Sequence, residues 1–170
     1  NTGALITTFG TAGVVTSNPS AGADYIYAII ANASGIYVAG SDNSLGGTNH
    51  RWRIEKRDLT TGALVTAFGA GTGVVTSNPS ADNDIATSIA IDASGIYVAG
   101  NDYSPGPLKD QCRIEKRDLT TGALDATFGG GTGVVTNNPS ASYDIAYAIT
   151  VDASGIYVAG HDLIMGAGNN

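Results

Sequence analysis

Residues 85–100 read IATSIAIDASGIYVAG, and this stretch decides the fold. Its first half alternates bulky and small side chains with a period of two, which predicts a β-strand over 85–91. The prediction places Ile85, Ile89 and Ile91 on one face of the strand and Ala86, Ser88 and Ala90, tightly packed, on the other. The turn sequence at 92–95 and the β-prone residues at 96–98 then complete a hairpin.

The same stretch recurs at 25–40 and at 145–160, so the chain repeats itself every 59–60 residues. A fixed period of this size indicates a repeat architecture. We therefore expect a single repeat domain, 1–170, with units at approximately 2–60, 61–120 and 121–170, the last truncated. Inner strands are predicted at 25–31 and 145–151 as well, with Ala146 and Ala148 on the small, crowded face.

Two further strands are expected in each unit. Arg53–Arg57 and Arg113–Arg117 alternate charged and apolar residues, which predicts an outer, half-solvated strand. After a turn at 118–122, a fourth strand is predicted over 123–128, with its counterpart over 4–9. A 16-residue connector, 129–144, would lead to the next unit, and its Val134-Val135 pair could add a short strand.

The predicted fold is all-β, with β-propeller blades of four antiparallel strands and about three repeats in an incomplete ring. A β-solenoid is less suitable, because its coils are usually about half this length. A string of separate small domains is disfavoured, because a lone four-stranded sheet has no second layer to cover its face. Apolar, uncharged strands near both ends, around 4–6 and 156–158, should seek partners.

Residues 124–133, LDATFGGGTG, followed by an Ile-rich strand and by DASGIYVAG at 152–160, resemble the delta-60 repeat family. The resemblance covers essentially the whole chain, and it lies in turn and packing residues. It implies a bacterial or archaeal β-propeller protein that is secreted or located at the cell surface. It implies no particular activity.

Composition excludes several classes of function. The chain has 15 acidic and 8 basic residues and a net charge of −7, which argues against nucleic acid as a partner. No stretch approaches the roughly 18 to 20 apolar residues of a membrane span. Cys112 is the only cysteine, and it aligns with Trp52 of the preceding repeat, so we interpret it as filling an apolar position.

Comparison of the repeats shows where the sequence varies. The loops at 42–50, 102–110 and 162–170 share little, and the residue pairs at 22–23, 82–83 and 142–143 also differ. In an up-and-down sheet these regions lie at one end of the strands, while the near-invariant turns lie at the other. Variation at one end suits a protein or glycan ligand, although drift in exposed loops explains it too.

Carboxylates recur at that same end and are the only candidate metal ligands. Calcium takes oxygen ligands, but hydrogen bonding to turn amides is the favoured interpretation. The candidates are Asp24, Asp84, Asp144, Asp42, Asp102 and Asp162. The two histidines, His50 and His161, are not repeated in the second unit and carry no catalytic pattern.

Asn32 is the single N-x-Ser/Thr acceptor in the chain, since proline interrupts the three Asn-Pro-Ser sequences, and it is a glycosylation candidate.

Three hypotheses for function remain. The favoured one is a non-enzymatic extracellular or cell-surface β-propeller scaffold or binding module without a cofactor. The alternatives are a structural subunit of a filament or surface layer, paired with other copies or the rest of a longer chain, and a propeller-type hydrolase.

Overall fold

The computed structural model describes residues 2–106 and 109–163, and it is all-β. Its ten strands form antiparallel sheets of four, four and two strands, each in chain order. The first sheet contains β1 (Tyr25–Asn32), β2 (Gly35–Asp42), β3 (Arg51–Arg57) and β4 (Val74–Ser77). The second contains β5 (Ile85–Asp92), β6 (Gly95–Gly106), β7 (Lys109–Arg117) and β8 (Val134–Asn137). The third contains β9 (Asp144–Asp152) and β10 (Gly155–Asp162).

The inner strands lie where the alternation predicts them, because β1, β5 and β9 match the predicted ranges to within one residue at each end. Each is joined to the next strand by a tight turn that an Asx hydrogen bond closes. In the second sheet, Asp92 Oδ1 accepts from the Ser94 amide at 2.7 Å. The only helical segment among the described residues is the single 3₁₀ turn Gly129–Gly131.

A β-bulge interrupts the alternation in each inner strand. In β5 the register against β6 shifts between Ala86 and Ser88. Ala86 therefore packs with Ile89 on one face of the sheet, and Ala90 packs on the other. The predicted common face of Ala86, Ser88 and Ala90 was wrong for this reason. A β-bulge places two residues opposite one and reverses the facing of those that follow.

Gly100 allows this bulge. A Cβ atom there would collide with the carbonyl oxygen of Ile85 on the paired strand, and Gly40 and Gly160 meet the same obstacle. The glycine that ends each Val-Ala-Gly sequence is therefore fixed by a close backbone approach, which only glycine permits.

The fourth strand was predicted in the wrong place. Residues 123–128 make only the isolated bridge of Leu124 to Arg117, and residues 4–9 form no strand. The fourth strand instead comes from the predicted connector, as β4 and β8, whose Val-Val pairs lie against β3 and β7. Paired strands favour β-branched residues such as these valines over the alanines of residues 123–128.

The charged strand is the third of four and is not an outer strand. Its side chains are largely buried, because each charge has a partner: Glu55 lies between Arg53 and Arg57. Lys56 extends along the Tyr37 ring and donates to the Leu119 carbonyl at 2.8 Å. These ion pairs and the hydrogen bond to a carbonyl offset the free-energy cost of burying the charges. The sequence pattern alone did not predict this burial.

The three sheets pack face to face in series. Between the first and second sheets the core is made of nine buried residues: Tyr37, Ala39, Trp52, Ile54, Phe68, Ala86, Ile89, Ile96 and Val98. Between the second and third it is smaller: Ala90, Tyr97, Ala99, Ala146 and Ile149. Cys112 packs against this second core, which confirms its interpretation as a filler of an apolar position.

The outer faces of this stack are uncovered. Ile29 is 69% exposed, whereas its counterparts Ile89 and Ile149 are 7% and 8% exposed beneath the preceding sheet. Tyr157 is 51% exposed, whereas Tyr37 and Tyr97 are at most 5% exposed beneath the following sheet. The first sheet therefore exposes to solvent a face whose counterparts are buried in the second and third sheets. The third sheet exposes a face whose counterparts are buried in the first and second sheets.

The expectation for the small residues was correct in part. Ala86, Ala90 and Ala146 are buried, but Ala148 is exposed and Ser88 is half-buried. Ser88 accepts a hydrogen bond from the Ile149 amide of the third sheet at 3.1 Å. Ala148 lacks such a neighbour because it lies in the third sheet of the described stack.

Candidate functional site

The variable loops gather at one end of the sheets, as the predicted topology requires. In the first sheet the Asn43 amide, which begins the variable loop after β2, donates to Asp24 Oδ1 at 3.1 Å. In the second sheet the Tyr103 amide donates to Asp84 Oδ1 at the same distance. One aspartate before each inner strand therefore ties the two variable segments of that sheet together.

The first set of calcium candidates organises turns. Asp24, Asp84 and Asp144 each accept hydrogen bonds from the amide and the hydroxyl of the serine four residues earlier. Burial raises the pKa of Asp84, and the neighbouring Asp102 carboxylate acts in the same direction. These hydrogen bonds hold the Asn-Pro-Ser turn against the start of the inner strand.

The second set lies just after the second strand. Asp42 and Asp102 are fully buried, and each accepts from the serine two residues later and from an arginine of the third strand. Burial opposes ionisation of Asp42, but the hydrogen bonds from Ser44 and Arg51 outweigh it and lower the pKa of this carboxyl. Asp162 is exposed.

The structure does not bring these carboxylates into one ring. Within residues 2–106 and 109–163, no group of three or more His, Cys, Asp or Glu side chains is arranged to hold a metal ion. The oxygen atoms of both sets are directed at serines, arginines and backbone amides, which is the arrangement that the turn interpretation predicts. Calcium binding stays an untested prediction.

An open cleft of about 900 Å³ lies at the variable-loop end of the first sheet. Tyr25 and Tyr27 of β1 form one wall, with their ring centroids 5.9 Å apart and their planes 29° apart. The loop at 43–48 forms the opposite wall, and Asn83 of the next repeat closes one side. Both tyrosines are about half exposed, so their rings are accessible from the cleft.

The base of the cleft carries polar groups with unused hydrogen-bonding capacity. Ser41 is 2% exposed, and its hydroxyl has no partner among the described residues. His50 Nε2 lies 3.2 Å from the Asn43 side-chain amide, whereas its Nδ1 is buried without a partner in the same part of the chain. Asn49 Oδ1 is the third such atom among the described residues, and two of the three belong to residues that line the cleft. Buried polar atoms normally have partners, so this group distinguishes the place from the rest of the described fold.

The equivalent polar side chains in the second sheet are paired with each other. There Asn101 replaces Ser41 and Asp110 replaces His50, and the Asn101 amide donates to Asp110 Oδ2 at 2.9 Å. Asp110 Oδ1 accepts from the Asp144 amide at 3.1 Å, which ties this carboxylate to the third sheet. Ile85 and Thr87 replace the two tyrosines, so the second repeat has neither the aromatic wall nor the unpartnered atoms.

Replacing Asp110 by Asn should raise the melting temperature at pH 7. Burial raises the pKa of Asp110, its hydrogen bonds act against this, and the Asp144 carboxylate adds to the rise. A raised pKa in the folded state means that stability falls as pH increases through the interval above the unfolded value of about 3.9. The gain should therefore be largest at neutral pH and vanish below about pH 4.

Thermal melts of wild type and Asp110→Asn between pH 3 and pH 8 measure this effect. Asp82→Asn, at an exposed position of the same region, is the matched control and should leave the melting temperature unchanged. A melting temperature that falls for Asp110→Asn at every pH would show that the two accepted hydrogen bonds outweigh the charge.

The remaining candidates lie elsewhere. His161 stacks on Tyr147 with ring centroids 6.0 Å apart, at the position of the third repeat that corresponds to Ser41. Asn32 lies at the opposite end of the first sheet, where its Oδ1 accepts from the Ser34 amide at 2.8 Å and closes the turn. Glycosylation at Asn32 stays a prediction.

Sequence reasoning did not find the cleft. The signal was present, because Tyr25 and Tyr27 are both aromatic, whereas the equivalent pairs are Ile85 and Thr87 in the second repeat and Ile145 and Tyr147 in the third. It could not be interpreted before the bulge at residue 27 and the hydrogen bonds of the loop were known, since these bring Tyr25, Tyr27 and His50 to one place.

No protein-family model matches the chain, and no curated protein matches it significantly. No helix in the described part of the chain is long and apolar enough to cross a membrane.

Proposed function

We propose that the chain is a non-enzymatic β-propeller scaffold that binds a partner at its variable-loop end, outside the cell or on its surface. The observation that carries the proposal is the division of each sheet into two ends. Asx turns of nearly constant sequence close one end, and the variable segments meet at the other, where the first sheet opens a cleft. A constant frame with variable loops at one end is the usual arrangement of a binding module.

The propeller part of the proposal is supported by the stacking. Sheets of up to four antiparallel strands follow one another in chain order, and each buries a face against the next. Polar contacts fix their relative position: the Trp52 indole donates to the Asn101 carbonyl at 3.0 Å, and the Tyr37 hydroxyl donates to the Leu119 carbonyl at 3.0 Å. A propeller arranges such a series of sheets around an axis, so the stacking supports the proposal, as does the sequence resemblance to the delta-60 repeat family.

A second candidate, a structural subunit, is favoured by the two uncovered faces. The exposed face around Ile29 corresponds to the faces of the second and third sheets that cover Tyr37 and Tyr97. The exposed face around Tyr157 corresponds to the faces around Tyr37 and Tyr97, which are the ones being covered. A sheet from another copy, or from the rest of a longer chain, could therefore continue the stack at either side. Head-to-tail contacts of this sort give a ring if the rotation closes and a filament if it does not.

Electron microscopy of the purified chain separates the two candidates. The scaffold proposal predicts discrete rings of about four to eight sheets around a central channel. Filaments of indefinite length would favour the structural subunit. Dispersed single copies with neither form would contradict the structural subunit, and they would exclude closure of the scaffold by copies of this chain alone.

A further inference from the structure

We infer that the cleft at the variable-loop end of the first sheet is a binding site for a neutral carbohydrate. The inference rests on the proposed function, since it names the ligand of the loop end that the scaffold presents. The cleft volume, about 900 Å³, lies within the range of small-molecule sites. What the cleft is made of decides the class of ligand.

The charge of the wall indicates a neutral ligand. The described lining residues include no Asp, Glu, Lys or Arg, although the chain as a whole carries a net charge of −7. Asp24, which adjoins the lining residues Ala23 and Tyr25 in the sequence, uses its oxygens to accept from Ser20 and from the Asn43 amide. An anion would find no cation in the wall and a repelling chain, and a cation would find no free carboxylate.

The side chains in the wall match the two surfaces of a sugar ring. The stacked rings of Tyr25 and Tyr27, each about half exposed, give the cleft an aromatic wall against which the C–H face of a pyranose can pack. The cleft is also lined by the amides of Asn43 and Asn83, the hydroxyl of Thr48 and the imidazole of His50. These groups both donate and accept, as neighbouring sugar hydroxyls require.

The unpartnered atoms at the base give the second observation. The Ser41 hydroxyl, in a residue that is 2% exposed, lines the cleft and lacks a partner among the described residues, as does His50 Nδ1. In the second repeat the corresponding Asn101 and Asp110 satisfy each other. The first repeat thus leaves unpaired the polar capacity that the second repeat uses internally. Both atoms are buried beneath the cleft surface, so a ligand rich in hydroxyls gains them as partners once the surrounding side chains shift.

A peptide fits this site less well. Peptides are usually held along a free strand edge or in an apolar groove. The described lining is not a continuous apolar groove, because Leu45 and Ile85 stand among Ser, Thr, Asn and His side chains and glycines. β1 lies at the edge of its sheet, so a peptide added along that edge is the alternative that the experiment separates.

Saturation-transfer NMR with a panel of methyl glycosides of glucose, galactose, mannose and N-acetylglucosamine tests the inference. At least one should bind with a Kd on the order of 1 mM, as expected for a ligand of about a dozen heavy atoms. Tyr25→Ile and Tyr27→Thr introduce the residues of the second repeat, which that sheet accommodates, and each should weaken binding at least tenfold. Tyr147→Thr, an exposed tyrosine outside the cleft whose counterpart in the second repeat is Thr87, is the matched control and should leave Kd unchanged.

The outcomes separate this inference from the proposed function. No binding of any glycoside in the panel, or equal binding by wild type and Tyr27→Thr, overturns the carbohydrate site. If ring-shaped particles are seen in either case, the scaffold proposal survives. Binding of an arrayed peptide that is lost in Tyr27→Thr, without glycoside binding, would keep the cleft as a site and overturn its ligand class.

Discussion

Replacing Glu115 by Gln should destabilise the fold by about 3 kcal/mol, the lower end of the cost of breaking a buried ion pair. Glu115 is fully buried, and Arg113 and Arg117 donate to its two oxygens at 2.9 and 2.8 Å. Gln keeps one acceptor but removes the negative charge between two largely buried guanidinium groups. Their remaining partners are Asp102 for Arg113, and the Gly122 carbonyl and the Ser77 hydroxyl for Arg117, and these leave the two positive charges only partly compensated.

Urea unfolding of the two proteins measures the difference. Asp125→Asn is the matched control, because Asp125 pairs with Lys116 of the same strand at 2.8 Å but is partly exposed. Its effect should be much smaller, since solvent screens exposed pairs. Equal losses for the two variants would show that the Arg-Glu-Arg arrangement contributes no more than a surface pair.

Replacing Gly100 by Ala should cost about 3 kcal/mol, the upper end of the overpacking range. The new methyl group would collide with the Ile85 carbonyl, which is backbone and cannot rotate away. Relief requires either loss of the bulge or separation of β5 from β6. Loss of the bulge would turn Ala86 and Ile89 to opposite faces and disrupt the first core.

Gly155→Ala provides the control within the same chain. An added Cβ at Gly155 meets nothing within 4 Å, and the residue has no left-handed φ. That variant should be neutral or more stable by about 0.5 kcal/mol, because alanine restricts the unfolded chain. If Gly100→Ala unfolds at the same urea concentration as wild type, the bulge does not depend on that glycine.

The hairpins could be predicted from the sequence because their signals are local. The alternation in 85–91 and the Asx turn after it specify β5 and the start of β6 without reference to other parts of the chain. The fourth strand could not be placed in the same way, because both 123–128 and Val134–Asn137 have strand character. Pairing of Val134 with Glu115 and of Val135 with Ile114 decides between them, and this is a contact between distant residues.

The burial of charge was missed for a related reason. The charged strand β7 has the sequence pattern of a solvated strand. Its charges can be buried because Glu115 pairs with both Arg113 and Arg117, and Arg113 also pairs with Asp102. The aspartates before the inner strands were interpreted correctly as turn residues, since Ser-x-x-x-Asp contacts are local. The cleft depends on Tyr27 at a bulge and on the loop that follows β2, so no single segment encodes it.

The central claim is that the uncovered face of the first sheet packs against the uncovered face of the third sheet of another copy of the chain. Molar mass measured by light scattering tests it most directly, with wild type compared with Ile29→Glu and with Thr60→Glu as control. Thr60 lies outside that face, because its counterpart Thr120 stays exposed where the first sheet covers the second. We expect wild type and Thr60→Glu to have a multiple of the chain mass of 17.1 kDa, and Ile29→Glu to have 17.1 kDa. A wild-type mass of 17.1 kDa at every concentration, or an assembled mass that Ile29→Glu leaves unchanged, would contradict the claim.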